Sequence, residues 1–347
     1  MKEKTVDFGK DPIAKILFRL APPVMLAQLI QALYNIVDSF FVGRNSESGL
    51  TALSIVYPLQ LLMIALAVGT GVGINTLMAH FSGLEREKES QESAGLAMPL
   101  AVLSWIVFAL LCFFFMPAYA RISTKSADVI REVIVYGRIV CVCSIGLFLE
   151  SGWTKVLQAE GDMRLPMVAQ IAGAVVNIML DPVLIFGIGP FPKMGIRGAA
   201  LATVLGYALS MVIAFLLLVF TKQKVRIKIK GFHVDSHMLK NLFSYGFPSF
   251  VMNALGSFML TFTNLFLTAY SDTVVAFFGA YFKVQQMIFM TVNGLIQGCL
   301  PVMRFNYSAK QPERLKEAFH FGTQAATVMM IGGTCLLLFL PKQILFL

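Results

Sequence analysis

Charge is scarce in this chain. Of its 347 residues, 14% are charged and 57% are hydrophobic, and the mean hydropathy is +0.75. A soluble domain of this size carries about a quarter charged residues. Soluble globular structure is therefore excluded, and the class that remains is an all-α polytopic membrane protein. Cysteine is sparse as well. Cys112, Cys141, Cys143, Cys299 and Cys335 sit in apolar runs with no CxxC spacing, which excludes a disulfide framework or a thiolate metal centre. His233 and His237 stand four apart without further ligands nearby, so no metal is expected beyond a transported Na⁺. HExxH, GxSxG and DDxxD motifs are missing, which leaves an intramembrane enzyme without a chemical signature. The first 15 residues are polar and the first apolar run is too long for an h-region, so no cleavable signal is expected.

What is present is a succession of long apolar runs. Nine spans are predicted, near 16–42, 50–80, 95–117, 129–150, 164–187, 197–220, 243–268, 274–303 and 319–345. The net charge of +9 follows this topology rather than a nucleic-acid footprint. Nineteen of the 28 lysines and arginines fall at the N-terminus and in alternate loops, against seven on the opposite side. The positive-inside rule then places the N-terminus in the cytoplasm. The stretch after Thr221, KQKVRIKIKGFHVDSHMLKN, suits either an anionic leaflet surface or a solvated linker.

That stretch separates two related halves. Pro23, Gly69, Gly73 and Gly83 correspond to Pro248, Gly294, Gly298 and Ser308 at a constant offset of 225 residues. An internal repeat is the mark of a transporter with its site between the halves. A six-helix unit keeps both copies in one orientation, with the pseudo-two-fold along the membrane normal. The expected organisation is a six-helix lobe at 1–220, a basic cytoplasmic linker at 221–242 and a partial second lobe of three helices at 243–347.

The polar residues inside the spans carry the functional signal. On the first span Gln28, Gln31, Asn35 and Asp38 share an arc of roughly 80° at 100° per residue. Such a stripe can glue neighbouring helices, but an intramembrane carboxylate points instead to an ion or proton site. On the fifth span Asn177 and Asp181 are one turn apart, and Pro182 frees the carbonyl of Ile178. Thr203 lies on the sixth among small residues. Counted from the span ends at about 1.5 Å per residue, Asp38, Asp181 and Thr203 share one depth, roughly 8–9 Å below one interface. On the seventh span Asn253, Ser257, Thr261 and Asn264 form a neutral stripe suited to lining a substrate cavity. Lys283 either faces that cavity or snorkels to the surface.

The chain resembles the multidrug and toxic compound extrusion (MATE) family. The resemblance rests on LAPPVMLAQLIQALYNIVDSFFVGR, GTGVGINTLMAHFSG, LQAEGDMRLPM, NIMLDPVLIFG with GIRGAALATV, and PVMRFNYSAKQPERLKEA, and covers nearly the whole chain. It implies two six-helix lobes and antiport of a cationic or amphipathic small molecule against Na⁺ or H⁺, without a further cofactor. Its DinF-like branch would place cation coupling on Asp38, Asn177, Asp181 and Thr203. The resemblance departs at Arg304 and Ser308, where glycines are usual, and three of twelve helices are unaccounted for, as in a fragment or truncated product. Expected surroundings are a bilayer, that of a bacterial or archaeal inner (plasma) membrane, with no nucleic-acid partner and a monomeric state. A flippase of lipid-linked sugars and an inactive truncated homologue are the alternatives.

Overall fold

Helices account for almost all of the structure, because backbone polar groups in hydrocarbon must bond within their own segment. The computed structural model describes residues 8–220, 236–268 and 272–339. In chain order the helices are α1 (Ile13–Asn45), α2 (Glu47–Gly83), α3 (Glu87–Gly95), α4 (Ala97–Ser123), α5 (Ala127–Val142), α6 (Ile145–Ala159), α7 (Arg164–Phe186), α8 (Ile196–Phe220), α9 (Ser236–Thr268), α10 (Asp272–Ser308) and α11 (Pro312–Phe339). Among the described residues eight segments are long and apolar enough to cross a membrane. α9, 33 residues long, is a further long helix.

Local chemistry sets the boundaries. Ser46 separates α1 from α2, and its side chain accepts the Gly49 amide at 3.0 Å. Gly187 closes α7 in the left-handed region at φ 75°, a conformation that costs a residue with a Cβ. The charged stretch after α2 is a separate short helix, α3, held by the Arg86–Glu89 pair.

One predicted span differs. In place of a single helix at 129–150 there are two, α5 and α6, with a break at Cys143 and Ser144, where the Ser144 hydroxyl donates to the Cys141 carbonyl at 2.7 Å. The helical path runs on to Ala159. Hydropathy falls at Glu150, Lys155 and Gln158, but these side chains turn inward, so Lys155 is buried rather than in a cytoplasmic loop. Arg304, also assigned to a loop from its charge, lies within α10 and is half-buried. Both were counted as topology signals, yet both are parts of the interior.

The largest apolar core joins α2, α4, α5, α6 and α8. A second joins the start of α1 to α10 and α11. The outward faces are apolar too. On α4 alone Leu103, Phe114 and Phe115 are exposed, Phe114 by 68%, an arrangement stable against lipid and costly in water at about 25 cal/mol per Å².

The two halves meet through α2–α9 and α1–α10, and the 225-residue repeat is visible in the contacts. A Cβ on Gly69 would meet Phe250 at 2.7 Å, and one on Gly294 would meet Met25 at 2.6 Å. Gly73 and Gly246 approach each other across α2–α9, and Gly298 packs on Ala21 across α1–α10. Met25 with Phe250 and Ala21 with Gly246 obey the same offset. Gly83 packs against its own repeat mate, Ser308, so closely that a Cβ on Gly83 would stand 2.8 Å from the Ser308 Cβ. Self-pairing of equivalent positions puts this contact on the pseudo-two-fold axis.

Candidate coupling and substrate site

Four helices build the site. Gly173 on α7 and Gly206 on α8 bring the two backbones together, the Gly206 carbonyl lying 2.6 Å from a Cβ placed on Gly173. The Ser210 hydroxyl fastens the same pair by donating to the Ala169 carbonyl at 3.0 Å. This close approach lets Asn177 reach Thr203, with Nδ2 donating to Oγ1 at 3.4 Å, while the Thr203 hydroxyl donates to the Ala199 carbonyl at 3.1 Å. One turn beyond Asn177, Asp181 is 0% exposed, and neither of its carboxylate oxygens has a hydrogen-bond partner. Asn177 Oδ1 is likewise unbonded.

Asp38 on α1 is buried and close enough for its charge to act on Asp181. Both carboxylates act on the Tyr136 phenol of α5, which accepts from Gln60 Nε2 of α2 at 3.4 Å. The phenols of Tyr34 and Tyr207 hydrogen-bond to each other alongside Asp38. Asp38, Asn177, Asp181 and Thr203, predicted from stripes and depth, are thus gathered in one place. The depths match too: Asp38 lies seven residues before the end of α1 at Asn45, Asp181 five before Phe186, and Thr203 seven after Ile196.

A small cleft of about 40 Å³ adjoins this cluster, partly open. Gln31 and Tyr34 line it from α1, Asn177 and Gln170 from α7, and Thr203, Tyr207 and Ser210 from α8. Glu150 enters it from α6. Of the helix 1 stripe, Gln31 lines the cleft, whereas Gln28 and Asn35 are half-buried, and the Asn35 carbonyl accepts the Ser39 hydroxyl at 2.9 Å.

Two carboxylates with an amide and a hydroxyl suit a proton or a monovalent cation. Among the described residues no group of three or more His, Cys, Asp or Glu is placed to hold a metal ion.

Of the neutral stripe of α9, the side chains of Asn253 and Ser257 are described. Ser257 is buried and donates to the Pro58 carbonyl at 2.8 Å, so it joins α9 to α2 instead of facing a cavity. The carbonyl it satisfies belongs to a proline inside α2. Asn253 is exposed and donates to the Ser249 carbonyl of its own helix at 2.7 Å. The side chains of Thr261, Asn264, Lys283 and His237 lie outside the described residues, as do His233 and most of the basic linker.

Sequence reasoning missed a polar bridge between the halves. Lys155 Nζ donates to Gln158 Oε1 at 2.8 Å and to Gln297 Oε1 of α10. Asn75 of α2 donates to the Lys155 carbonyl at 2.9 Å and accepts from Arg304 of α10 at 2.9 Å. His80 Nδ1 and Ser308 Oγ share a hydrogen bond of 2.9 Å. Arg304 and Ser308, the two departures from the family pattern, therefore both make contacts across the halves.

Fold and site together define a helical, multi-pass membrane carrier with a buried carboxylate site. The chain belongs to the MatE family, whose sequence model matches residues 23–183 and 248–347. It is 26% identical over 335 residues to the multidrug export protein MepA of Staphylococcus aureus, covering 95% of this chain and 71% of that protein. It is also 26% identical over 313 residues to the FAD transporter of Shewanella oneidensis, covering 88% of this chain and 68% of that protein. In fold it matches a MOP superfamily transporter from Pyrococcus furiosus with a TM-score of 0.89 at 23% identity, covering 100% of this chain and 76% of the other. An outward-facing multidrug resistance MATE family transporter gives a TM-score of 0.88 at 23% identity with the same coverage.

Proposed function

We propose that this chain is a secondary active exporter of cationic or amphipathic small molecules, driven by inward movement of Na⁺ or H⁺, and not an enzyme. The observation that carries the proposal is Asp181, fully buried beside Asp38 with both carboxylate oxygens lacking hydrogen-bond partners. A buried carboxylate in that state costs several kcal/mol, and a bound cation or proton relieves most of that cost. The coupling set is Asp38, Asn177, Asp181 and Thr203, the set carried by the DinF-like branch. Occupancy from outside removes the repulsion between the two aspartates and lets α1 repack, which favours release of substrate outward. Release of the ion inward then resets the carrier. In this reading 1–220 and 243–347 are the two lobes, joined by the 221–242 linker. The N-terminus is cytoplasmic, and the protein works as a monomer in a bacterial or archaeal plasma membrane. The likeness to MepA, a multidrug export protein, supports the substrate class.

A second reading, export of an anionic cargo or a lipid-linked sugar phosphate, is favoured by one observation: Lys155 and Arg304 both lie where the halves meet. The likeness to an FAD transporter fits that reading. The test is efflux from proteoliposomes of a cationic dye and, separately, of FAD, under Na⁺ and pH gradients imposed one at a time. Gradient-driven dye efflux, reduced at least tenfold by Asp38→Asn and by Asp181→Asn, is expected. Efflux by both variants within twofold of wild type would overturn the coupling site, and efflux of FAD alone would establish the second reading.

A further inference from the structure

The cleft between α1, α6, α7 and α8 carries carboxylates toward both ends. One end reaches Asn177 and Thr203, a turn from Asp181. The other is closed by Gln170, Ser210 and Glu150. Gln170 stands seven residues from Asn177, Ser210 seven from Thr203, and Gln31 seven from Asp38. Three helices therefore span the same distance, about 10 Å along the bundle axis, and Tyr34 and Tyr207 line the space between with hydroxyls.

Glu150 is 6% exposed, and its Oε1 makes no hydrogen bond. The Gln170 amide and the Thr154 hydroxyl lie beside its carboxyl. The charged group nearest it on its own helix is Lys155, but that ammonium is committed to Gln158 and Gln297. α7 contributes only neutral groups to this end of the cleft, and α1 and α8 contribute Tyr34 and Tyr207. A structural carboxylate this deep is closed by a cation or by donors to both oxygens; here Gln170 and Thr154 leave Oε1 without a partner, on a residue that lines the cleft.

We propose that Glu150 is a second, inner station for the coupling cation, H⁺ or Na⁺, reached along the cleft from Asp38 and Asp181 before release from the carrier. This rests on the antiport reading. It also links the ion to the halves: Lys155, which holds α6 to Gln297 of α10, follows Glu150 by five residues and responds to its charge. A cation on Glu150 removes the negative charge that helps hold the Lys155 ammonium in place.

Two measurements test the proposal. Wild type in proteoliposomes is treated with dicyclohexylcarbodiimide, which adds to protonated carboxyls in apolar sites, and adducts are mapped by mass spectrometry. An adduct on Glu150 is expected. Its suppression at least tenfold by Na⁺ at constant pH would identify Na⁺, and suppression only by raising pH would identify the proton. Glu150→Gln is expected to lower gradient-driven dye efflux at least tenfold and to lower the number of ions moved per dye, with Glu150→Asp recovering part of both. Labelling of Asp181 without Glu150, or Glu150→Gln efflux within twofold of wild type, would overturn the station. Wild type that labels on Glu150 yet shows no gradient-driven efflux of dye or FAD would instead overturn the antiport reading.

Discussion

Replacing Asp181 by asparagine sets function against stability. The carboxylate is fully buried, accepts no hydrogen bond and feels the charge of Asp38. A charged aspartate at the centre of a membrane helix costs about 3 kcal/mol on insertion scales, whereas an amide with unmet hydrogen bonds costs about 1–2 kcal/mol. Asp181→Asn should therefore stabilise the cation-free protein by about 1–2 kcal/mol, a rise of roughly 1–3 °C in melting temperature for a chain of this length. The same change should abolish ion coupling. Cation binding sharpens the contrast, since a ligand at ten times its Kd adds about 1.4 kcal/mol to the state that binds it. Scanning fluorimetry in detergent, with and without saturating Na⁺ or at stepwise lower pH, reads both effects. Wild type should gain several degrees from the coupling cation, and Asp181→Asn should start higher and gain almost none. An asparagine variant that melts below wild type in the absence of the cation would refute the reasoning, because the carboxylate would then be holding the bundle together.

Four further predictions rest on individual contacts. Ser257→Ala should cost about 1 kcal/mol of stability through the Pro58 carbonyl, with dye affinity unchanged in equilibrium binding, because Ser257 joins helices and does not line a cavity. Gly73→Ala would place a Cβ 2.6 Å from the Leu242 carbonyl, a backbone atom that cannot step aside, so a melting-temperature loss equivalent to about 2 kcal/mol or more is expected. Asn75→Leu strands both the Lys155 carbonyl and the Arg304 guanidinium and should lower stability by about 2–4 kcal/mol in the same assay. Gln297→Leu removes one of two acceptors from a buried ammonium, and a loss of about 1.5–3 kcal/mol is expected in the same scan.

How far the sequence was readable follows from the physics of each signal. Period and hydropathy located the long helices because lipid tolerates no other backbone. Asp38, Asn177, Asp181 and Thr203 were legible because an isolated polar residue in an apolar run stands out and counting 1.5 Å per residue gives its depth. Glu150, Lys155 and Gln158 were not, since several polar residues close together read as the end of a span. Tyr34 and Tyr207 stayed hidden for the opposite reason, an amphipathic aromatic being ordinary in any membrane helix. For the α9 stripe, helical spacing says which residues share a face but not what that face meets. Ser257 shares a face with Asn253, yet the carbonyl of Pro58 lies opposite it.

The repeat permits a sharper test than any single contact. Gly83 and Ser308 are equivalent positions that touch, and Ser308 also bonds His80, so the two halves are pinned at the pseudo-axis near the C-terminal ends of α2 and α10. Alternating access requires this pin to part once per cycle. A disulfide needs its Cβ atoms about 3.5–4.5 Å apart, and the His80–Ser308 hydrogen bond makes these two positions neighbours across the halves. The pair His80→Cys/Ser308→Cys, in a background with the five native cysteines replaced, should cross-link on mild oxidation. Gradient-driven efflux should stop as the cross-link forms and return on reduction. Carbodiimide labelling of Asp38 and Asp181 should persist throughout, because the proposed coupling site lies within one half and does not need the pin to open. Efflux that continued with the cross-link complete would mean that the halves need not separate here, and the rocking of one half against the other would have to be replaced by motion within the first half, at α1.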